Sequence, residues 1–97
     1  MDNEAVNKAL HACRDTITSS VRSASPFRNQ LAESPFDRLQ HLLWMIDEAH
    51  SWGPARLEKK FRWLGFVQGA LWEQGLQSVE DSKRQNMPEG ATFKEIP

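Results

Sequence analysis

Trp63-Leu64-Gly65-Phe66-Val67-Gln68-Gly69-Ala70-Leu71-Trp72 is the most apolar stretch of the chain, and its reading decides the fold. Gln68 is its lone polar side chain, and the run falls far short of the roughly 18 to 20 apolar residues that span a bilayer. It therefore reads as a helix segment that buries several sides against protein. Upstream, Arg56, Lys59, Lys60 and Arg62 surround Leu57 and Phe61, so the same helix begins amphipathic and basic. Pro54 is placed near its start, and Gly75 supplies a residue tolerant of the left-handed conformation at its end.

Working outward, Ser78 and Asp81 form a capping pair for a short fourth helix ending near Asn86, before Met87-Pro88 breaks it. Residues 88–97 read as a C-terminal tail in which Phe93 and Ile96 offer anchors. In the other direction, Ser51-Trp52-Gly53-Pro54 is turn chemistry. Before it, Phe36, Leu39, Leu42, Leu43, Ile46 and Ala49 share one wide face of a second helix, about residues 35–50. Ser34-Pro35-Phe36-Asp37 starts that helix with an N-cap, an N1 proline and a carboxylate placed for a capping box. Nine residues earlier Ser25-Pro26-Phe27-Arg28 echoes the motif and predicts a short turn ending near Glu33. Val6, Leu10, Cys13, Ile17 and Val21 mark the buried stripe of a first helix, about residues 3–22, capped by Asp2 or Asn3. The expected fold is all-α: a three- to four-helix bundle in one domain, residues 1–87, with the tail at 88–97.

A chain of 97 residues holds one core and buries only about 60 to 65% of its unfolded surface as a monomer. Self-association is an inexpensive way to bury more, and the apolar girdle from Trp63 to Trp72 exceeds what two partner helices can cover. A homo-oligomer is therefore expected. Twelve basic against thirteen acidic residues give no global field of the kind that draws proteins to DNA or anionic lipid. One cysteine, Cys13, excludes an internal disulfide and a multi-cysteine zinc site and points to a reducing compartment. With an acidic start, Met1-Asp2-Asn3-Glu4, the expectation is a soluble cytoplasmic protein.

Gly65 and Gly69 each cost up to about 1 kcal/mol of helix stability relative to alanine, so something must offset them. Close packing against the first or second helix is the plain reading, and a helix contact between subunits is the other. Gln68 shares a stripe with Leu57, Phe61 and Leu64. It needs hydrogen-bond partners in the core, either a neighbouring backbone group or a polar ligand edge. Four tryptophans, Trp44, Trp52, Trp63 and Trp72, cannot all enter one small core. Those left at the surface supply contact area for a protein or stacking faces for a base. Trp44, Trp52 and Trp63 beside Arg56, Lys59, Lys60 and Arg62 form the candidate binding surface, against the ordinary alternative of a solvated polar helix face.

Asp37 with His41 and Asp47 with His50 stand one turn apart on different turns, and no zinc-helix or paired-cysteine signature accompanies them. Cys13 lies on an apolar stripe with His11 on the wrong face to activate it, and no phosphate loop or nucleophile elbow is present. No metal, cofactor or enzyme activity is expected.

The run Lys60-Phe61-Arg62-Trp63-Leu64-Gly65-Phe66-Val67-Gln68-Gly69-Ala70-Leu71-Trp72, followed by Gly75 and Asn86-Met87-Pro88-Glu89-Gly90, resembles small uncharacterised accessory proteins of tailed bacteriophages. Leu39-Gln40-His41-Leu42-Leu43-Trp44-Met45 resembles their upstream helix, and residues 1–34 are unmatched. The resemblance implies a source and no mechanism. It favours a non-enzymatic phage-type protein in the host bacterial cytoplasm that binds and inhibits a host factor, such as a defence component. The alternatives are an oligomeric sponge for a nucleotide second messenger, with its pocket at a seam near Gly65, Gln68 and Gly69, and a virion structural or assembly factor.

Overall fold

The computed structural model describes residues 2–87, and the tail expected at 88–97 lies outside them. The described residues are all-α: α1 (Asn3–Ser20), α2 (Pro35–Ser51), a 3-10 turn (Pro54–Arg56), α3 (Leu57–Glu73) and α4 (Val79–Asn86). Each long helix packs on the other two, and α4 lies on α1.

The ends follow from local chemistry. Asp2 Oδ1 accepts from the Ala5 N–H at 2.8 Å and starts α1. The Ser34 hydroxyl accepts from the Asp37 N–H and Pro35 occupies the first turn of α2. At the end of α3, Gly75 takes φ 73° while its N–H bonds Trp72 O and the Leu76 N–H bonds Leu71 O, a Schellman motif. Ser78 and Asp81 exchange both bonds of a capping box on α4. The first Ser-Pro-Phe copy opens no helix. Residues 25–28 form no regular element, and the Ser25 N–H donates to the Gln40 side chain and the Phe27 N–H to the Gln40 carbonyl, drawing this segment along α2. A turn does form just beyond, closed by the Ala32 N–H on Asn29 O.

The core is one seam. Val6, Leu10, Cys13 and Ile17 of α1, Leu39, Leu43, Ile46 and Ala49 of α2, and Leu64, Val67 and Leu71 of α3 are buried in it. Met45 joins them, while Phe36 at the start of α2 is left exposed. The apolar segment of α3 departs from its expectation in one respect. One stripe is buried, Trp63 and Ala70 beside it are partly covered, and the opposite side faces solvent in this chain, with Phe66 60% and Trp72 57% exposed. Gly65 and Gly69 lie on that open side, and a Cβ added at either would meet nothing within 4 Å. The expectation that they serve close packing against α1 or α2 is therefore corrected: nothing among the described residues packs against them.

Three polar side chains, Lys60, Gln68 and Gln77, enter the interior with partners. Lys60, a member of the candidate binding surface in the sequence, is instead buried, its Nζ donating to Asn3 Oδ1 at 2.7 Å and Asn7 Oδ1 at 3.0 Å. Loss of hydration lowers its pKa. Gln68 uses neither a backbone group nor an open pocket edge: it reaches side chains of α4, donating to Gln85 Oε1 at 3.0 Å and Asn86 Oδ1 at 2.9 Å. Gln77 and Gln85 exchange amide bonds beside it, and the Cys13 thiol donates to Gln85 Oε1 at 3.3 Å.

Burial raises the Cys13 pKa from 9.0 to about 11, against a smaller opposing effect of the Gln77 amide. The folded state therefore holds the thiol proton more tightly than the unfolded chain. That contribution is complete below pH 9.0 and is lost as pH rises toward about 11. Lys60 slopes the other way below 10.5 because its folded value is lowered. Comparing urea unfolding of the wild type with Cys13→Ala, which retains Lys60, isolates the thiol. The stability advantage of the wild type should shrink by about 2–3 kcal/mol between about pH 8 and 11. A constant difference would mean the thiol is not shielded.

Candidate functional site

Three tryptophans from three places meet on one side of the molecule. Trp44 sits on the flank of α2 next to its buried stripe, Trp52 caps the end of α2, and Trp63 lies on the side of α3 that turns toward α2. The Trp52 and Trp63 rings meet edge to face at 4.6 Å between centroids, and Trp63 stands 6.0 Å from Trp44. All three are half-buried, so the cluster is both a lid on the core and a surface.

Cations of the same chain cover this cluster. Lys59 Nζ lies 4.7 Å from the Trp52 centroid and 5.5 Å from that of Trp63, and the Arg56 guanidinium stands 5.5 Å from Trp52. Trp44 is stacked on His41 at 5.5 Å and carries the Arg28 guanidinium at 5.1 Å. At exposed sites such contacts contribute about 0.5–1 kcal/mol each, enough to hold long side chains in place over the rings.

Beside the cluster runs an open groove of about 790 Å³ between α2, α3 and the segment leading into α2. Its floor is Leu42, Met45, Trp63 and Ala70, and Phe66 stands along one wall. Arg28, Arg38 and Arg62 fringe it, with Glu73 the one carboxylate among its lining residues. The wall from residues 28–32 is stitched down. The Asn29 N–H donates to His41 Nδ1 at 3.0 Å, and Arg38 Nε donates to Ala32 O at 3.1 Å. Desolvation first, and the Arg28 charge second, lower the His41 pKa, which keeps the ring neutral and Nδ1 free to accept.

The structure thus brings together Trp44, Trp52, Trp63, Arg56 and Lys59 of the sequence-predicted surface, and places Arg62 on the groove rim, where it also pairs with Glu58 at 3.4 Å. It does not bring Lys60 or Gln68 there. Lys60 turns toward α1, and the Gln68 amide is used by α4. Trp72 stands apart, exposed on another side of α3. Sequence reasoning missed Arg28, Arg38 and His41. Arg28 lies in the first Ser-Pro-Phe echo, and nothing in local pattern shows that this segment folds back across α2. Asp47, one turn before His50, is bound by Arg14 of α1 at 2.8 Å. No protein-family model, curated protein or solved structure matches the chain.

Protonating His41 removes the acceptor for Asn29. The folded pKa lies below 6.5, so the neutral ring's contribution is present above that value and is lost as pH falls through the folded value. In an NMR titration the Asn29 amide should move with the His41 ring, with a midpoint below 6.5, and its hydrogen exchange should accelerate on the acid side. An Asn29 amide indifferent to pH would sink the assignment of this bond.

Proposed function

We propose that this chain is a non-enzymatic, phage-type accessory protein that inhibits a host factor in the bacterial cytoplasm by protein contact, docking through the Trp44, Trp52 and Trp63 cluster and the adjoining groove. The observation that carries this reading is the state of the indole faces. Lys59 and Arg56 lie over Trp52, Arg28 lies over Trp44, and Trp63 is closed by Trp52 and Lys59. A base could stack only by displacing a cation that the ring already holds. A protein surface needs no such displacement, because it can meet the cations with carboxylates and lay apolar side chains on the groove floor. The favoured partner is accordingly a host protein with an acidic patch around an apolar ridge. The resemblance of Lys60–Trp72 to small tailed-phage proteins supplies the setting.

One observation favours a second reading. Arg28, Arg38 and Arg62 converge on one groove, and guanidinium groups suit phosphate as well as carboxylate. A nucleotide sponge would use this groove and not the seam near Gly65, Gln68 and Gly69, since Gln68 is committed to α4.

The two separate cleanly. For the protein-contact reading, immobilised wild type should recover one acidic protein from bacterial lysate, lose it in the Arg56→Glu, Lys59→Glu double variant, and lose it with rising salt. Its melting temperature should ignore a panel of linear and cyclic nucleotides. A rise of several degrees with a nucleotide, abolished in Arg38→Ala, would transfer the conclusion to the sponge.

A further inference from the structure

The open side of α3 carries large apolar groups that no part of the described chain covers. Phe61 is 37% and Trp72 57% exposed, and between them Gly65 and Gly69 leave a shallow, bare strip of backbone. At 100° per residue, Phe61 and Trp72 fall on one edge of this strip and Arg62 and Glu73 on the other. Both charged side chains are exposed. Among the described residues Arg62 is engaged by Glu58 at 3.4 Å, an i,i+4 pair with side chains 66% and 90% exposed, which solvent screens heavily. The face thus has an aromatic edge, a charged edge with opposite signs at its two ends, and glycine in the middle.

We propose that this face binds a second copy of the chain, with the two α3 helices antiparallel about a two-fold axis that passes between Gly65 and Gly69. The argument is geometric. Such an axis keeps each edge on its own side and reverses its direction. The beginning of an edge in one copy therefore meets its end in the other. On the charged edge Arg62 comes level with the partner's Glu73, and on the aromatic edge Phe61 comes level with the partner's Trp72. Each match holds to about one residue's rise, ~1.5 Å. Gly65 comes opposite the partner's Gly69, where the missing side chains let the backbones approach closely. Each contact occurs twice, as an isologous interface requires. A parallel arrangement would set the aromatic edge of one copy against the charged edge of the other, leaving Arg62 and Glu73 unpaired. Charge complementarity and edge matching together select a second copy over an unrelated apolar partner. They also explain why glycines stand where no intrachain packing needs them. This pairing does not rest on the host-partner reading, since the Trp44, Trp52 and Trp63 cluster lies on a different side of α3; Arg62 and Glu73, which also line the groove beside that cluster, are shared by the two surfaces.

Sedimentation equilibrium of the full chain over a wide concentration range tests the association. The wild type should be a dimer at high concentration. Gly65→Leu with Gly69→Leu should be monomeric with the same or a higher melting temperature, because the added side chains meet open space within one chain. Arg62→Glu should weaken dimerisation by an order of magnitude or more, and adding Glu73→Arg should restore it. A disulfide reports the orientation. A mixture of Arg62→Cys and Glu73→Cys proteins should cross-link between the two variants, and neither should cross-link to itself, while the buried Cys13 stays out of the reaction. Any of three results overturns the proposal. One is a wild type that stays monomeric throughout, which would hand the face to another kind of partner. The second is a dimer untouched by the leucines, and the third is self-cross-linking of Arg62→Cys, which would mean parallel helices. Trp44→Ala should leave self-association unchanged, so a failure here is distinguishable from a failure of the host-partner reading.

Discussion

Burial of Leu64, Val67 and Leu71 against α1 and α2 sets the rotation of α3, and the remainder of the surface follows from that one constraint. These side chains occupy a narrow stripe, and the flanking helices have room for no more. With the stripe turned inward, Trp63 is carried to the α2 side, where it meets Trp44 and Trp52. Lys60 is carried to the α1 side, where Asn3 and Asn7 receive it. Phe61, Gly65, Gly69 and Trp72 are carried to the side with no neighbour. Helical geometry leaves no freedom to move one of these without moving all.

The interior is less purely apolar than its size suggests. A small core gains by extending itself with polar groups only when each finds a partner, since an unsatisfied amide or ammonium costs several kcal/mol. Here they do: among the described residues no buried side-chain nitrogen or oxygen lacks a hydrogen bond. The Gln68, Gln77, Gln85 and Cys13 group attaches a short, mostly polar α4 that has no buried residue of its own. Directional bonds at that joint do what hydrophobic burial cannot, because α4 has too little apolar surface to offer.

The segment between α1 and α2 has the opposite character. Phe27 and Leu31 are left at 60% and 88% exposure, and what holds the segment is a row of hydrogen bonds to Gln40, His41 and Arg38. By lying along α2 it brings Arg28 over Trp44 and raises one wall of the groove. A stretch with one proline, Pro26, and no helix thereby supplies part of the surface on which the proposed recognition depends.

Helix positions, caps and the identity of most core residues were legible because they depend on local spacing. Examples are the Val6 to Ile17 stripe, the Ser34 and Ser78 caps and the Gly75 turn, each settled within a few residues of itself. The same local pattern foresaw that tryptophans would remain at the surface, and it named Arg56 and Lys59 among the cations that accompany them. It did not reveal that Asn3 and Asn7 would receive the Lys60 ammonium, that Gln68 would be satisfied by α4, or that Arg28, Arg38 and His41 would border the groove. Those depend on which element lies across which, a relation between residues 12 to 57 positions apart in the chain. The apolar stretch from Trp63 to Trp72 shows the division most plainly: its composition announced more greasy surface than one helix can hide, and only the packing of three helices decided which side stays bare.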